Sequence, residues 1–470
     1  MNTSTISRSL LVLVMVGAAC RSPATASAPG ATHVAPTNGR IPIRYVRLNN
    51  GLRVVMARDH TAPIARVGVY YDVGARDEPR GRAGFAHLFE HYMFEGSENV
   101  APGEFFKLVV SNGGRFGART LYDFTKYTSS APDVALDLLL WAEADRMRGL
   151  RFSQERLDAV RATVKSEVRQ QTVNRPYGRF VWIDLPELAQ TRWENSHSIY
   201  GDTPDGRLDA LDSATIDDAR VFFRTFYTPR NAVLTIDGAI DFDETIALVR
   251  RHFESVPGGN PRPVVDLAEP RQVQERRFTR SDPNAPRPAI AVGYHMPARR
   301  LAEFWAMHVI SEILIEGRDS WMHETLVRRG LADAVSGGVS AQHGSIYTTG
   351  GPNFWTVFAF HDATQHPDSL LAAMDVAVDR LRASPVDAST LQRAIAKATA
   401  GFYGEWSQGL GEGRLDMLGQ FALFDNDPER INRFGEELRR VTPELLHATA
   451  VEYLRPTNRN VLYLKPGIAR

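Results

Sequence analysis

Cysteine is almost missing from this chain: Cys20 is the only one in 470 residues. No disulfide can form within the molecule, so a packed core rather than a cross-link must hold the fold. Net charge is missing too, with 55 Lys and Arg against 55 Asp and Glu. No basic block interrupts that balance, which argues against nucleic acid as the main partner. Long apolar runs are also lacking. The stretch 10–19 (LLVLVMVGAA) is too short to cross a bilayer. What is present is an apolar content of 43%, that of a globular protein. The length exceeds one ordinary core and suits two domains of about 200 residues each.

The short apolar run follows Arg8 and has the form of a signal-peptide core. Directly after it, Gly17-Ala18-Ala19-Cys20 resembles a bacterial lipoprotein cleavage site, with Gly17 where Leu is usual. Residues 1–20 are therefore expected to be a lipoprotein-type signal peptide, with Cys20 as the lipidation site. Ordinary cleavage near Ala28 is the alternative. Residues 21–40 are rich in Pro, Ala, Ser and Thr and read as a flexible tether. The expected location is exported: periplasmic, or held at the outer membrane by lipid.

The chemistry concentrates in Gly84–Gly96 (GFAHLFEHYMFEG). His87, Glu90 and His91 stand at i, i+3 and i+4, which places all three on one face of a helix. Two neutral imidazoles at that spacing can hold zinc, a third protein ligand completes the set, and an open position is left for water. The metal lowers the pKa of that water from 15.7 to about 7. Glu90 can then take its proton and pass it to a leaving amine. The competing account is an amphipathic helix whose histidines happen to fall four apart.

Along the chain, 41–58 reads as a hairpin turning at Asn49-Asn50-Gly51, and 65–73 as a third strand. Helices are expected over 101–111, from Asp133 with Val134, Leu138, Trp141 and Ala142 on one face, and over 153–171. Thr120–Ser129 reads as one strand. The run Tyr227-Thr-Pro229-Arg-Asn231 returns near the C-terminus as Tyr453-Leu-Arg-Pro456-Thr-Asn458, each followed by a strand that runs into glycine. The chain therefore reads as a tandem duplication of one α+β unit, each a mostly antiparallel sheet packed with helices. The expected divisions are an N-terminal zinc-binding domain over 41–257, a linker region over 258–288, and a homologous domain without the metal motif over 289–470.

These residues resemble the inverted zinc metallopeptidases of the pitrilysin, insulinase and mitochondrial processing peptidase type, in their half-length two-domain bacterial form. The resemblance covers nearly everything after residue 41. It implies one Zn2+ per chain and a third ligand about 76 residues beyond the motif, where Glu167 lies 76 positions after His91. Glu143 and Glu155 compete for that place and read as helix-surface charges. The resemblance further implies that a peptide substrate adds as an extra strand along 113–120, with Gly117, Ala118 and Thr120 as substrate-binding residues.

The chain departs from the family pattern in three places. Val160 stands where a supporting Glu is usual, seven residues before Glu167, and loss of such support typically costs 10- to 100-fold in affinity or activity. Gly117 replaces an Asn. In Leu326-Val327-Arg328-Arg329-Gly330-Leu331-Ala332-Asp333, Val327 and Asp333 occupy the places of an Arg and a Tyr that hold substrate and stabilise the oxyanion in active members. The expected function is thus a zinc endopeptidase acting on unfolded peptides, completed by a homologous Arg/Tyr-bearing chain as a heterodimer, with a homodimer also open. The alternative is a catalytically weak or silent zinc-binding subunit of such an assembly.

Overall fold

Two sheets of matching topology organise the chain. The computed structural model describes residues 40–198, 200, 209–339 and 345–467; Cys20, the leader and the tether lie outside them. The first sheet contains β1 (Ile43–Arg47), β2 (Arg53–Arg58), β3 (Ile64–Tyr71), β4 (Arg115–Thr120), β5 (Thr125–Pro132) and β6 (Ala232–Gly238). Their spatial order is β1-β2-β6-β3-β5-β4. The second contains β7 (Arg276–Asp282), β8 (Ala289–His295), β9 (Val335–Val339), β10 (Phe354–Phe360) and β11 (Arg459–Pro466), in the order β7-β11-β8-β10-β9. In each sheet one pair, β2 with β6 and β7 with β11, is parallel and the other pairings are antiparallel. Without β1, the two sheets correspond strand for strand in order and direction, as the duplicated Tyr-x-x-Pro or Tyr-x-Pro runs suggest.

The repeated asparagine explains why that run recurs. Asn231 Nδ2 donates to the carbonyls of Phe226, at 2.9 Å, and Asp72, at 3.1 Å. Asn458 Nδ2 does the same toward Tyr453, at 2.7 Å, and His295, at 2.9 Å. In both halves one amide ties a helix end to the end of the central strand, satisfying carbonyls that the turn leaves unpaired.

Several expectations need correction. Residues 276–282 lie in the expected linker yet form β7, the counterpart of β2. Its Arg-Arg-Phe-Thr-Arg-Ser-Asp sequence carries one apolar residue, so an edge strand passed for a charged connection. Thr120–Ser129 is two strands, because the chain turns at 121–124 and Leu121 N donates to Phe124 O. The helix after Pro132 opens with a 3-10 turn, which rotates Val134 to 91% exposure. The buried face of α3 (Leu136–Arg148) carries Leu136, Leu139, Leu140 and Met147 together with the expected Ala142, while Leu138 and Trp141 are half-buried.

The halves exchange cover. One face of the first sheet packs on α1 (Phe85–Tyr92), α2 (Glu104–Ser111) and α3, and α4 (Gln154–Val168) packs on α1. Its other face is covered by the helix Glu412–Gln420 from the second half. There Tyr70 Oη donates to Asp416 Oδ1 at 2.7 Å, and Arg414 reaches Asp59 at 2.5 Å and Asp237 at 2.8 Å. Gly419 lies flat on the Tyr70 ring, where a Cβ would come within 2.4 Å of a ring carbon. In return Phe180, Val181 and Leu185 of the first half pack on Ala289, Ala291, Leu462 and Leu464 of the second sheet. From Ile41 onward the chain is one compact unit.

Candidate metal centre

The three residues of the motif sit on α1, whose N-cap is Gly84 in a left-handed conformation (φ 84°). Glycine suits that backbone but brings no side chain to cap the helix. Glu78 supplies the cap from six residues away: its carboxylate accepts from Gly84 N at 2.8 Å and Ala86 N at 2.7 Å. The same carboxylate meets His197 Nε2 at 3.0 Å, and both side chains are buried. Trp193 stacks on the His197 ring, with centroids 3.8 Å apart and planes within 11°. Burial opposes a charge on His197, but the Glu78 hydrogen bond and charge outweigh it and hold the imidazole above its ordinary pKa. Neither Glu78 nor His197 was visible as a site residue in the sequence, since 119 positions separate them and no motif joins them.

His87 is buried and His91 half-exposed, with their Nε2 atoms 3.3 Å apart. Glu167, near the end of α4, places Oε2 3.3 Å from His91 and Oε1 3.7 Å from His87. One ligand atom from each of the three lies within 4.8 Å of the others, and no other such group occurs among the described residues. Burial, then the neighbouring His91, pushes the His87 imidazole down to about 3, so it stands in the neutral form that a metal requires. The donor set of two imidazoles and one carboxylate fits zinc. His87 Nδ1 is buried without a hydrogen-bond partner among the described residues. A metal-ligating histidine ordinarily has such a partner; on this side the ring is packed instead, with the Tyr200 ring set nearly perpendicular at 5.8 Å.

Glu90 stands beside this group without joining it. Burial raises its pKa, and hydrogen bonding from the neighbouring Thr120 works in the other direction. Thr120 closes β4, so the edge strand runs up to the carboxylate; Gly117 and Ala118 lie on the same strand. The competing carboxylates lie elsewhere. Glu155 is an exposed residue in the first turn of α4, as expected. Glu143 is not a surface charge: it is 1% exposed and pairs through both oxygens with Arg146, whose guanidinium lies over Tyr127 and Phe105. Val160 is buried in the α4 core face. In the second half, Val327 ends a π turn and Asp333 pairs with Arg287 at the surface, at 2.5 Å.

Known peptidases resemble this chain in sequence and in fold. A family model described as Insulinase (Peptidase family M16) matches residues 53–179, and one described as Peptidase M16 inactive domain matches 213–398. The zinc protease PqqE of Helicobacter pylori is 27% identical over 434 residues, covering 90% of this chain and 92% of that protein. The crystal structure of a protease from Helicobacter pylori aligns with a TM-score of 0.82 at 24% identity, over 91% of this chain and all (100%) of that one. The periplasmic protease PqqL of Escherichia coli aligns at a TM-score of 0.70 and 18% identity, over 92% of this chain but 48% of that one. The likeness to the two solved structures extends to the fold. The chain belongs to the M16, or insulinase, peptidase family, in its half-length two-domain form.

Proposed function

We propose that the chain is a zinc-dependent endopeptidase acting on unfolded peptides, with His87, His91 and Glu167 as ligands of one zinc ion and Glu90 as general base. The observation that carries this reading is the meeting of two imidazoles and a carboxylate within 4.8 Å, beside a second, buried carboxylate. Zinc bound there supplies Lewis acidity and makes water acidic enough to attack near neutral pH. The chain's own residues do the rest. Glu90, its pKa raised by burial, takes the proton from the attacking water and returns it to the leaving amine. Gly117, Ala118 and Thr120 offer the free backbone of an edge strand, which only an extended peptide can pair with. Similarity to proteins named zinc proteases supports the same activity. Glu167→Gln is expected to cut the zinc retained after dialysis from one ion per chain to a small fraction, read by atomic absorption. Undiminished zinc would remove Glu167 from the ligand set.

The oxyanion-stabilising Arg and Tyr are assigned to a second, homologous chain, because Val327 and Asp333 occupy their places here. The span of this chain over 48% of PqqL supports such pairing. The test is cleavage of a quenched-fluorescent peptide by residues 41–470, alone and with a homologous chain carrying the pair. Strong cleavage by the chain alone would overturn the partner requirement and leave a monomer or homodimer. The second reading, a weak or silent zinc-holding subunit, draws on the buried Val160 and the unpartnered His87 Nδ1. It wins if zinc is bound and the added partner restores nothing. Export, with lipid on Cys20, completes the proposal. The similarity to a periplasmic protease supports it, and mass spectrometry of the mature N-terminus tests it.

A further inference from the structure

We propose that β4 presents, on the face turned away from α1, a subsite that selects an acidic side chain of the extended peptide through Arg119. The proposal deepens the peptidase reading and rests on it for the mode of peptide binding.

The strand order ends at β4, so its outer edge has no partner strand among the described residues. A peptide laid along that edge sends alternate side chains to opposite faces of the sheet. On the α1 face Phe116 packs against Phe94 and Phe105, and Thr120 meets Glu90. Arg115, Gly117 and Arg119 point the other way and are exposed. Arg115 reaches across to Glu412, at 3.1 Å, and to Gly409 O, at 3.3 Å. Between this face and the second half lies a cavity of about 370 Å³, lined among others by Arg119, Lys126, Glu405, Glu412 and Asp416.

Two ion pairs take up most of the charged groups along that cavity, and Arg119 is in neither. Lys126 pairs with Asp416, which also accepts from the Tyr70 hydroxyl. Glu412 pairs with Arg115. Burial holds the Glu405 pKa above its ordinary value, and no ion pair joins this carboxyl to Arg119 among the described residues. Arg119 has no ion-pair partner among the described residues, leaving one open guanidinium suited to a carboxylate. Gly117 completes the subsite. A Cβ there would meet only Thr128 Oγ1, at 3.7 Å, so its absence leaves room between Arg115 and Arg119 for an incoming side chain. The replacement of Asn by Gly thus has a use beyond preserving backbone pairing. Arg119 precedes Thr120, the residue that touches Glu90. At about 3.3 Å per residue the selected side chain falls within about two positions of the scissile bond.

The test separates binding from cleavage. The full chain carrying Glu90→Gln is titrated with fluorescein-labelled extended peptides in which a single Glu, Gln or Lys is walked along an otherwise uncharged sequence. At one position the Glu peptide is expected to bind roughly 10-fold more tightly than the Lys peptide, the size of one charge-assisted hydrogen bond. Adding Arg119→Glu should reverse that order. Equal affinity at every position, or a Glu preference that survives Arg119→Glu, overturns the subsite. A reversing preference in a chain whose native form cleaves nothing, alone or with a homologous Arg/Tyr-bearing chain, would uphold the subsite and count against the peptidase reading instead.

Discussion

Replacing Glu90 by glutamine is expected to lower peptide cleavage about 10²- to 10⁴-fold while zinc stays bound. The size follows from what a positioned general acid–base group contributes. The direction follows from geometry. Glu90 shares the α1 face with His87 and His91 but is outside the group whose ligand atoms converge within 4.8 Å. The amide keeps the volume and the contacts with Thr120, and it cannot accept a proton from water. Zinc content and thermal stability should therefore match the parent chain, while kcat falls and KM moves little. The assay belongs in the presence of the homologous Arg/Tyr-bearing chain, so that the parent rate is measurable. Cleavage within a few-fold of the parent would mean that another group takes the proton.

The second large effect is on stability. Glu78→Ala is expected to cost about 3–5 kcal/mol, the usual consequence of removing one partner from a buried ion pair. Three groups lose their partner at once: His197 Nε2, Gly84 N and Ala86 N. The two amides belong to the first turn of α1, so the helix start should loosen and zinc affinity should drop with it. Denaturant unfolding of the metal-free protein gives the first quantity and competition with a chelator the second. A loss below about 1 kcal/mol would show that water replaces the carboxylate and that the pair does not anchor the helix. His197→Gln, made in the chain that keeps Glu78, can still donate to that carboxylate and should cost less than Glu78→Ala.

The contrast between these two residues shows what a sequence carries on its surface. His87, Glu90 and His91 announce themselves because helix spacing turns a local pattern into a shared face. Glu167 was reachable only through the resemblance, since nothing in the 75 intervening residues links it to the motif. Glu78 and His197 carry no spacing rule at all, and their one hint was a helix start at Gly84 with no side chain to cap it. The duplication was legible because Asn231 and Asn458 do identical work in both copies. The strand β7 was not, since an edge strand with alternating exposure tolerates charge at nearly every position. Glu143 misled for the opposite reason: a carboxylate three residues before an arginine on a helix is ordinarily a surface pair, and here aromatic rings enclose it.

The exchange of cover between the halves has a consequence for how the chain comes to be folded. Tyr70 and Asp416 touch across 346 positions, and the helix that seals the first sheet is made long after the strand it covers. Until it arrives, Val55, Ala57, Tyr70 and Val233 form an apolar face with nothing to cover it. Contacts at such separation close slowly, and an open apolar sheet invites association with other chains meanwhile. The order of synthesis therefore leaves the metal-binding half complete in sequence but unfinished in structure until the metal-free half has emerged.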